Sequence, residues 1–173
     1  MSDLVEDPLF KYRLRFHPVE RDVLKVEIYV DPGGGVNIAH FHPSIEERFE
    51  VKRGEVTFTA DGEEIVAGPG EKVIAKAGVR HTFRNTGGEE AEMTCDAEPA
   101  LDLQGFLTDA AAMAAAGKYT KRGVPKPGSI LDAIEWLDRY RDTVVVTGGA
   151  LPPPRLQPAL LGPLARLKRR MRR

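Results

Sequence analysis

The feature that most constrains this chain is a pair of histidines one residue apart, followed five positions later by a carboxylate. His40 and His42 flank Phe41, and Glu47 comes after a short turn at Pro43-Ser44. Successive side chains of a strand point to opposite faces, so His40 and His42 should share one face and Phe41 should take the other. Two imidazoles side by side on one strand face form half of a metal site, which a glutamate on the returning strand can extend.

The alternation of residues 46–52 indicates which glutamate faces the interior. Glu47 shares its face with Phe49 and Val51, whereas the residues between them are charged. An ionised carboxylate alone among apolar residues would be strongly destabilising unless it is protonated, paired or bound to a metal. A bound cation is therefore the most economical explanation of Glu47.

A third histidine lies on an inferred inward face further along the chain. His81, Phe83 and Asn85 alternate with Thr82 and Arg84, so His81 shares its face with an apolar ring. The chain has four histidines, and we expect the remaining one, His17, to point outward on the face of two arginines.

These residues and their spacing resemble the two motifs of the cupin superfamily. The first motif matches at every position, namely Gly34, His40, His42, Glu47 and Gly54. The second motif matches at Gly70, Gly78, His81 and Asn85, with Lys76 where the family usually has proline. The resemblance covers roughly residues 20 to 100. It implies one divalent metal held by His40, His42, Glu47 and His81, with an orienting role for Asn85.

Short alternating segments fill the first hundred residues and are separated by glycine, proline and aspartate. The segment from Leu24 to Val30 places every second, aliphatic residue on one face, and Asp61-Gly62 is a hairpin signal. No helical pattern separates these segments, which argues against a parallel sheet. The fold class is mainly β, a small antiparallel β-barrel or jelly roll with C-terminal helices.

The period changes after Pro99. A helical stripe containing Leu103 and Phe106 precedes Gly117, and a second helix is predicted from about Ile130 to Tyr140, with Trp136 covering the barrel. Residues 144–146 are too few to assign. We therefore divide the chain into a barrel over residues 1–100, a helical extension packing on it over residues 101–150, and a proline-rich, then basic amphipathic tail over residues 151–173.

The tail carries the only marked charge asymmetry of the chain. It has seven basic and no acidic residues from Arg155 onward, although the net charge of the whole chain is −1. Its apolar residues fall on one helical stripe, but Pro158 and Pro163 argue against a helix before residue 163. We favour packing on the acidic body or on a partner subunit over contact with a membrane. The stripe consists of Leu156, Leu160, Leu164, Leu167 and Met171.

Composition narrows the classes of protein to which this chain can belong. The single cysteine, Cys95, excludes an internal disulfide framework and suits a reducing compartment, and the acidic N-terminus is unlike a signal peptide. The glycine run at residues 33–35 is not followed by a helix, so it is not a dinucleotide fingerprint. We expect a cytoplasmic protein that binds a small molecule and no nucleic acid, and the resemblance implies a homodimer.

Three imidazoles and one carboxylate suit Fe, Mn, Zn, Ni, Co or Cu as the divalent ion and disfavour Ca or Mg. Four protein ligands leave two octahedral positions for a chelating substrate. The expected pocket is mainly apolar, which suits a small aromatic or enol-type molecule. Its predicted lining consists of Val36, Ile38, Phe49, Val51, Phe58, Phe83, Asn85, Met93 and Cys95.

Two function classes remain open. The first is a metal-dependent enzyme resembling cupin dioxygenases or isomerases, with Glu47 as a catalytic base if it leaves the metal. The second is a non-catalytic binding or sensing module that uses the same pocket, since no second acid–base pair is evident beyond the ligands. In both classes metal should be lost as the pH falls through about 6, because ligand histidines must be neutral.

Overall fold

A computed structural model describes residues 4–148 and 151–171, and it shows two antiparallel β-sheets followed by helices. The fold class expected from the sequence is confirmed. The strands are β1 (Val5–Asp7), β2 (Tyr12–Phe16), β3 (Leu24–Val30), β4 (His40–Phe41), β5 (Glu46–Arg53), β6 (Val56–Ala60), β7 (Glu63–Ala67), β8 (Lys72–Ala75), β9 (His81–Asn85), β10 (Ala91–Glu98) and β11 (Val145–Val146). The α-helices are α1 (Leu103–Ala115), α2 (Ile130–Arg139) and α3 (Gln157–Met171), and single 3-10 turns precede α2 and α3 at Pro127–Ser129 and Pro154–Leu156.

The two sheets divide the metal-binding motifs between them. The six-stranded sheet has the order β1-β2-β3-β10-β5-β8 and carries Glu47, whereas the five-stranded sheet has the order β11-β4-β9-β6-β7 and carries His40 and His81, with His42 directly after β4. His40 of β4 lies directly opposite His81 of β9 in the register. The site therefore lies between the sheets, with ligand-type side chains from both.

Alternate residues of the central strands build the interior. Every second residue of β3 and β10 is buried, as the period-two pattern of the sequence predicts. The rings of Phe49, Phe58 and Phe83 form a cluster with centroids 5.1–6.2 Å apart. This cluster joins the two sheets beside the histidines and so fixes their separation.

The turn that leads to His81 is shaped by a glycine rather than by a proline. Gly78 has a φ of +79°, and its amide donates a hydrogen bond of 2.8 Å to the carbonyl of His42. Val79 closes the turn by donating to the carbonyl of Lys76 at 3.0 Å. These backbone hydrogen bonds hold the turn although Lys76 stands where the family motif usually has proline. The turn also links the strand of His81 to the segment of His42.

The helices contribute directly to the interior. Phe106 of α1 stacks on Trp136 of α2 with ring centroids 4.4 Å apart, and Tyr140 meets Phe106 edge-on at 5.7 Å. The expectation that Trp136 helps to cover the barrel is met. The hydroxyl of Tyr140 donates a hydrogen bond of 2.8 Å to Asp109, which joins the end of α2 to α1.

Two features of the C-terminal region differ from the sequence interpretation. Val145 and Val146, too few to assign from sequence, pair with β4 as an added edge strand. Helix α3 begins at Gln157 and contains both Pro158 and Pro163. Pro158 lies in the first helical turn, where its missing N–H is not needed, whereas Pro163 costs one internal hydrogen bond.

No described helix is both long enough and apolar enough to cross a bilayer.

Candidate metal centre

Four ligand-type side chains converge between the two sheets. His40, His42, Glu47 and His81 place their ligand atoms within 4.8 Å of one another. His42 and His81 are 2% and 4% exposed, and Glu47 is 8% exposed. The structure therefore brings together all four ligands expected from the sequence. His17, as expected, lies elsewhere and bonds Glu27 at 2.8 Å.

Backbone carbonyls determine which nitrogen of each imidazole faces the centre. Nδ1 of His40 donates to the Ile38 carbonyl at 2.9 Å, and Nδ1 of His81 donates to the Val79 carbonyl at 3.0 Å. Nδ1 of His42 donates to the carbonyl of Thr143, 101 residues away, at 2.9 Å. A carbonyl can only accept, so each Nδ1 carries the proton and each neutral ring presents the lone pair of Nε2.

The atoms that meet at the centre have no hydrogen-bond partner among the described residues. They are Nε2 of His42, Nε2 of His81 and Oε2 of Glu47, and all three are buried. Oε2 of Glu47 nevertheless lies 3.1 Å from His42 Nε2 and 2.9 Å from His81 Nε2. Donors bound at right angles to one ion, at bond lengths of about 2.1 Å, lie about 3.0 Å apart. The residues thus fit a cation, which would satisfy all of these atoms together.

The electrostatics of the cluster agree with this fit. Burial, together with the neighbouring His81 and His42, lowers the pKa of His40 to about 3, so this ring is neutral at ordinary pH. Burial acts to raise the pKa of Glu47, but His42 and His81 outweigh it and hold that pKa well below its usual range. Burial acts to lower the pKa of His42, but the neighbouring charge of Glu47 outweighs it, so the pKa of His42 is raised. The carboxylate is ionised and attracts positive charge to the cluster.

The second oxygen of Glu47 is occupied by a thiol. Cys95 of β10 donates from Sγ to Glu47 Oε1 at 3.8 Å, and both residues are buried. Burial and the charge of Glu47 raise the pKa of the Cys95 thiol well above its ordinary value. The thiol therefore stays protonated and holds one carboxylate oxygen, which leaves Oε2 for the centre.

All four ligand-type residues line a cavity of about 670 Å³. The barrel contributes one wall, and the three helices and the segments on either side of α2 contribute the other. The wall is mostly apolar, and Leu103, Phe106, Ile134, Trp136 and Leu161 are its helical members. A ligand in this cavity would contact the metal centre with one end and hydrocarbon over most of its surface.

The cavity reaches less deeply into the barrel than the sequence predicted. Val36, Ile38, Phe49, Phe83 and Cys95 line it. The other expected lining residues, Val51, Phe58, Asn85 and Met93, are buried in the barrel core and are absent from its wall. Val51 and Met93 face each other across neighbouring strands, one inward position deeper than Phe49 and Cys95.

Asn85 has a structural role in a turn. Its Nδ2 donates to the carbonyls of Val30 and Glu89 at 2.8 and 2.7 Å, and its Oδ1 accepts from the amide of Gly87 at 2.9 Å. These bonds satisfy the buried amide group and hold the β9–β10 connection. Asn85 supports the strand that begins with His81 and does not contact the ligand cluster.

Sequence reasoning missed several residues of the site. Thr143 orients His42 through a backbone carbonyl, and a backbone atom leaves no signature in side-chain patterns. Asp7 of β1 lies on the cavity wall but was read only as part of an acidic terminus. Asp7 lies opposite the buried Tyr12 in the register of β1 and β2, so it faces inward. A strand of three residues is too short for its periodicity to predict this.

Comparison with known proteins gives one matching family model and several solved structures with a similar fold. Residues 26–95 match the family model described as "Cupin domain". No curated protein gives a significant match to the chain. An RmlC-like cupin from Shewanella frigidimarina is similar in structure, with a TM-score of 0.51 and 19% identity over 58% of this chain and 86% of that chain.

Two further solved structures are similar to the same extent. A conserved protein with a double-stranded β-helix domain from Klebsiella pneumoniae gives a TM-score of 0.50 at 22% identity, covering 56% of this chain and 84% of the other. The cupin domain of Cnp3 from Schizosaccharomyces pombe gives a TM-score of 0.50 at 11% identity, covering 56% and 67%. At such identities the similarity shows the fold alone, and little more than half of this chain is covered.

Proposed function

We propose that this chain, whose residues 26–95 match the cupin family model, is a metal-dependent cupin that acts on a small, largely apolar organic molecule. The observation that carries the proposal is the convergence of three Nε2 lone pairs and one carboxylate oxygen at the wall of a largely apolar cavity. The dioxygenase and isomerase classes expected from the sequence both use such a centre. They form the leading hypothesis.

The protein side of the proposed centre supplies one negative charge and three neutral nitrogens. When bound, a divalent transition metal would supply Lewis-acid activation of an oxygen atom of the substrate. His40, His42 and His81 would hold the ion, and the carbonyls of Ile38, Val79 and Thr143 would keep the rings in place. These orienting contacts reduce the reorganisation that binding requires.

Glu47 is the proposed catalytic group. Its Oε2 lies at the centre, whereas its Oε1 is held by Cys95, so one oxygen can release the ion without the side chain leaving its position. A carboxylate freed in this way, beside a bound substrate, would accept a proton as a general base.

The apolar wall favours a hydrophobic substrate body. Phe49, Phe83, Phe106 and Trp136 bring aromatic rings to the cavity, and aliphatic side chains fill the spaces between them. Burial of hydrocarbon there contributes about 25 cal/mol per Å² to binding. Small polar acids and sugars gain little from such a wall, so an aromatic or long aliphatic molecule with an oxygen-bearing head group fits best.

Metal content tests the proposed centre. Protein purified from its native host should contain close to one transition-metal ion per chain by elemental analysis. His42→Ala should lower the content roughly tenfold or more, because one of the four ligands is lost. His17→Ala is the matched control, since His17 is a surface histidine outside the cluster, and its metal content should equal that of the wild type. Full occupancy in His42→Ala would remove His42 from the ligand set.

Oxygen consumption separates the two function classes. Fe(II)-loaded protein would be supplied with a panel of diphenols and flavonols in an oxygen electrode, with His42→Ala as the blank. Consumption that depends on both substrate and His42 would support a dioxygenase. Tight binding of a panel member without oxygen uptake or isomerised product would favour a non-catalytic binding module, which the apolar cavity also suits.

We also propose a homodimer that forms through an edge of the six-stranded sheet. Strand β1 is an edge strand in this sheet, and the neighbouring Leu4 is 44% exposed. An unpaired edge readily accepts a second strand. Light scattering coupled to gel filtration would measure the mass of the particle, and a mass of one chain at micromolar concentration would reject the dimer.

A further inference from the structure

The cavity has a second buried acid besides Glu47. Asp7 is the last residue of β1, lies opposite Tyr12 of β2, and shares the cavity wall with it. Asp7 is only 1% exposed. Its carboxyl group has thus been withdrawn from water into a mostly hydrocarbon surrounding, which is unfavourable unless its oxygens find hydrogen-bond donors.

The two oxygens of Asp7 differ in their contacts. Oδ1 accepts hydrogen bonds from the amides of Leu9 and Phe10, each at 2.9 Å, and so stabilises the turn between β1 and β2. Oδ2 is buried and has no hydrogen-bond partner among the described residues. The turn needs one oxygen only, and the second is an unsatisfied acceptor of the kind that folded proteins rarely leave without a purpose.

The tyrosine hydroxyls near Asp7 do not satisfy its second oxygen. Burial, followed by the charge of Asp7, raises the pKa of Tyr119 to about 12, and the same two causes raise the pKa of Tyr12 further. Both cavity-lining phenols are therefore neutral. Neither donates a hydrogen bond to Oδ2.

We propose that Asp7 Oδ2 accepts a hydrogen bond from a hydroxyl or amine group carried by an otherwise apolar ligand of the cavity. The inference rests on the proposed function, because the ligand that bonds Asp7 is the molecule that also reaches the metal centre. It adds a second polar group to the description of that molecule, which then has an oxygen-bearing head at the metal and a hydrogen-bond donor elsewhere on its hydrocarbon body.

A pair of probes with equal numbers of heavy atoms tests the donor requirement. Decan-1-ol donates a hydrogen bond, whereas 1-methoxynonane cannot. Each would displace a neutral naphthylamine fluorophore from the cavity, and the wild type should bind the alcohol about tenfold more tightly than the ether, as expected for a hydrogen bond to a carboxylate. Equal affinities in the wild type would overturn the proposal without any variant being needed.

Asp7→Asn locates the effect. The amide oxygen can keep the bonds to Leu9 and Phe10, while the amide nitrogen replaces the unsatisfied acceptor by a donor, so the preference for the alcohol should vanish. Asp7→Ser, which keeps an acceptor for the turn, is the second variant if the first folds poorly. Undiminished preference in either folded variant would overturn the proposal. Metal content should equal that of the wild type in both, which keeps this test separate from that of the metal centre.

The opposite surface of α3 carries an independent feature. The helix packs on α2 through Leu161 and Ala165, and its Lys168 and Arg169 pair with Asp132 and Asp138 at 2.8 and 3.1 Å. Packing on the body, which the sequence analysis favoured, therefore uses one face only. The other face, with Leu156 of the preceding 3-10 turn, presents a stripe of apolar side chains that are 41–68% exposed, namely Leu156, Leu160, Leu164, Leu167 and Met171.

Basic residues accompany this exposed α3 stripe. Arg166 and Arg170 lie on α3, and Arg155 precedes it, and none of the three makes an ion pair with the described residues within 4 Å. The sequence has no acidic residue after Asp142. Two copies of this surface placed together would bring like charges into contact, which disfavours a second copy of the chain as its occupant.

We infer that the exposed α3 stripe adsorbs to an anionic lipid surface. A helix with an apolar stripe and flanking arginines lies at the interface of a bilayer, where its leucines enter the acyl boundary and its arginines meet lipid phosphates. Helix α3 is anchored to α2 by its charge pairs, so it is already formed before it meets the surface.

Vesicle co-sedimentation tests the lipid contact. The full chain should sediment with vesicles of phosphatidylcholine and phosphatidylserine at 50 mM salt, and about tenfold less with phosphatidylcholine alone or at 500 mM salt. The double variant Leu160→Ser/Leu164→Ser should lower binding to a similar degree. Val66→Ser, which changes an equally exposed apolar residue on β7 (58% exposed), should bind like the wild type.

Two results would overturn this inference. The first is the absence of sedimentation with anionic vesicles, or sedimentation that the double variant leaves unchanged. The second is a dimer in solution, measured by light scattering, that the same double variant dissociates. In that case a second copy of the chain would be the occupant of the stripe.

Discussion

Each imidazole of the proposed centre is fixed by one backbone carbonyl, and two of the three carbonyls lie two residues before the histidine. Such contacts are local, whereas the convergence of the three histidines was expected from their inferred inward faces and from the resemblance of their spacing to the two cupin motifs. The partner of His42 lies far along the chain, and no local pattern indicates it.

Asp7 shows the limit of periodicity at the residue scale. Strand β1 has only three residues, and a buried acid in it contradicts the apolar-inward rule on which the strand assignments rest. Glu47 broke the same rule but stood in an eight-residue strand, where its apolar neighbours identified its face. Glu47, in the longer alternating segment, could therefore be recognised from the sequence, whereas Asp7 could not.

The thiol of Cys95 should be unreactive in the folded protein. Burial and the neighbouring Glu47 raise its pKa, so the thiolate needed for attack on a disulfide reagent is scarce. Ellman's reagent should modify native protein on the order of a hundredfold more slowly than protein in 6 M guanidinium chloride, because modification must await opening. Rapid modification of the native protein would show that Cys95 reaches solvent and does not hold Glu47.

Gly123 should be intolerant of a side chain. Its φ is +74°, and a methyl group there would lie 2.8 Å from Cδ1 of Ile38, a residue of the cavity wall. Gly123→Ala should lower the free energy of unfolding by about 1–2 kcal/mol from the left-handed backbone alone, and should weaken binding of cavity probes by displacing Ile38. Gly128→Ala is the matched control, since no atom lies within 4 Å of its added methyl group. Equal effects in urea unfolding would contradict the argument.

At the scale of elements, the long strands were predictable and the short edge strand β11 was not. Alternation located the long strands because one face of each is buried. Strand β11 has two residues and exists because β4 offers it an open edge, which is a tertiary effect. The boundary predicted near residue 100 falls between β10 and α1. The division into a barrel over residues 1–100, a helical extension over residues 101–150 and a tail over residues 151–173 stays a prediction.

The tie between α2 and the segments around it should depend on pH. Asp132 lies 2.7 Å from Nζ of Lys118 and 2.8 Å from Nζ of Lys168, and these lysines lower its pKa to about 2. A carboxyl that binds its proton more weakly in the folded chain stabilises the fold above its unfolded pKa of 3.8. That stabilisation is lost progressively as the pH falls toward 2.

Urea unfolding of wild type and Asp132→Asn measures this contribution. The wild type should be the more stable at pH 6, and the difference should shrink between pH 4 and pH 2.5 as the wild-type carboxyl takes up its proton. A difference of the same size at both ends of this range would mean that the pairs with Lys118 and Lys168 do not act through charge.

At the scale of the whole molecule, a bound metal should link the two sheets. Glu47 comes from one sheet, His40 and His81 come from the other with His42 directly after β4, and unfolding would separate all four. At a free metal concentration of one hundred times Kd, the ion should stabilise the protein by about 2.7 kcal/mol, which raises the melting temperature by about 5–10 °C for a chain of this size.

Thermal unfolding with and without added metal measures this coupling. A strong chelator should reverse the rise in melting temperature, and His42→Ala should show a much smaller rise than the wild type. A rise of equal size in His42→Ala would indicate that metal stabilises the protein at some other site.

The hydrogen bond between His42 and Thr143 also sets an order of events during synthesis. A ribosome releases the histidines early, but the carbonyl that fixes the ring of His42 emerges about a hundred residues later. A nascent chain that ends before Thr143 has His40, Glu47 and His81 available, with one imidazole still free to rotate. A chain that stops within the helical region therefore lacks the carbonyl that orients His42, which would weaken metal binding at the proposed centre.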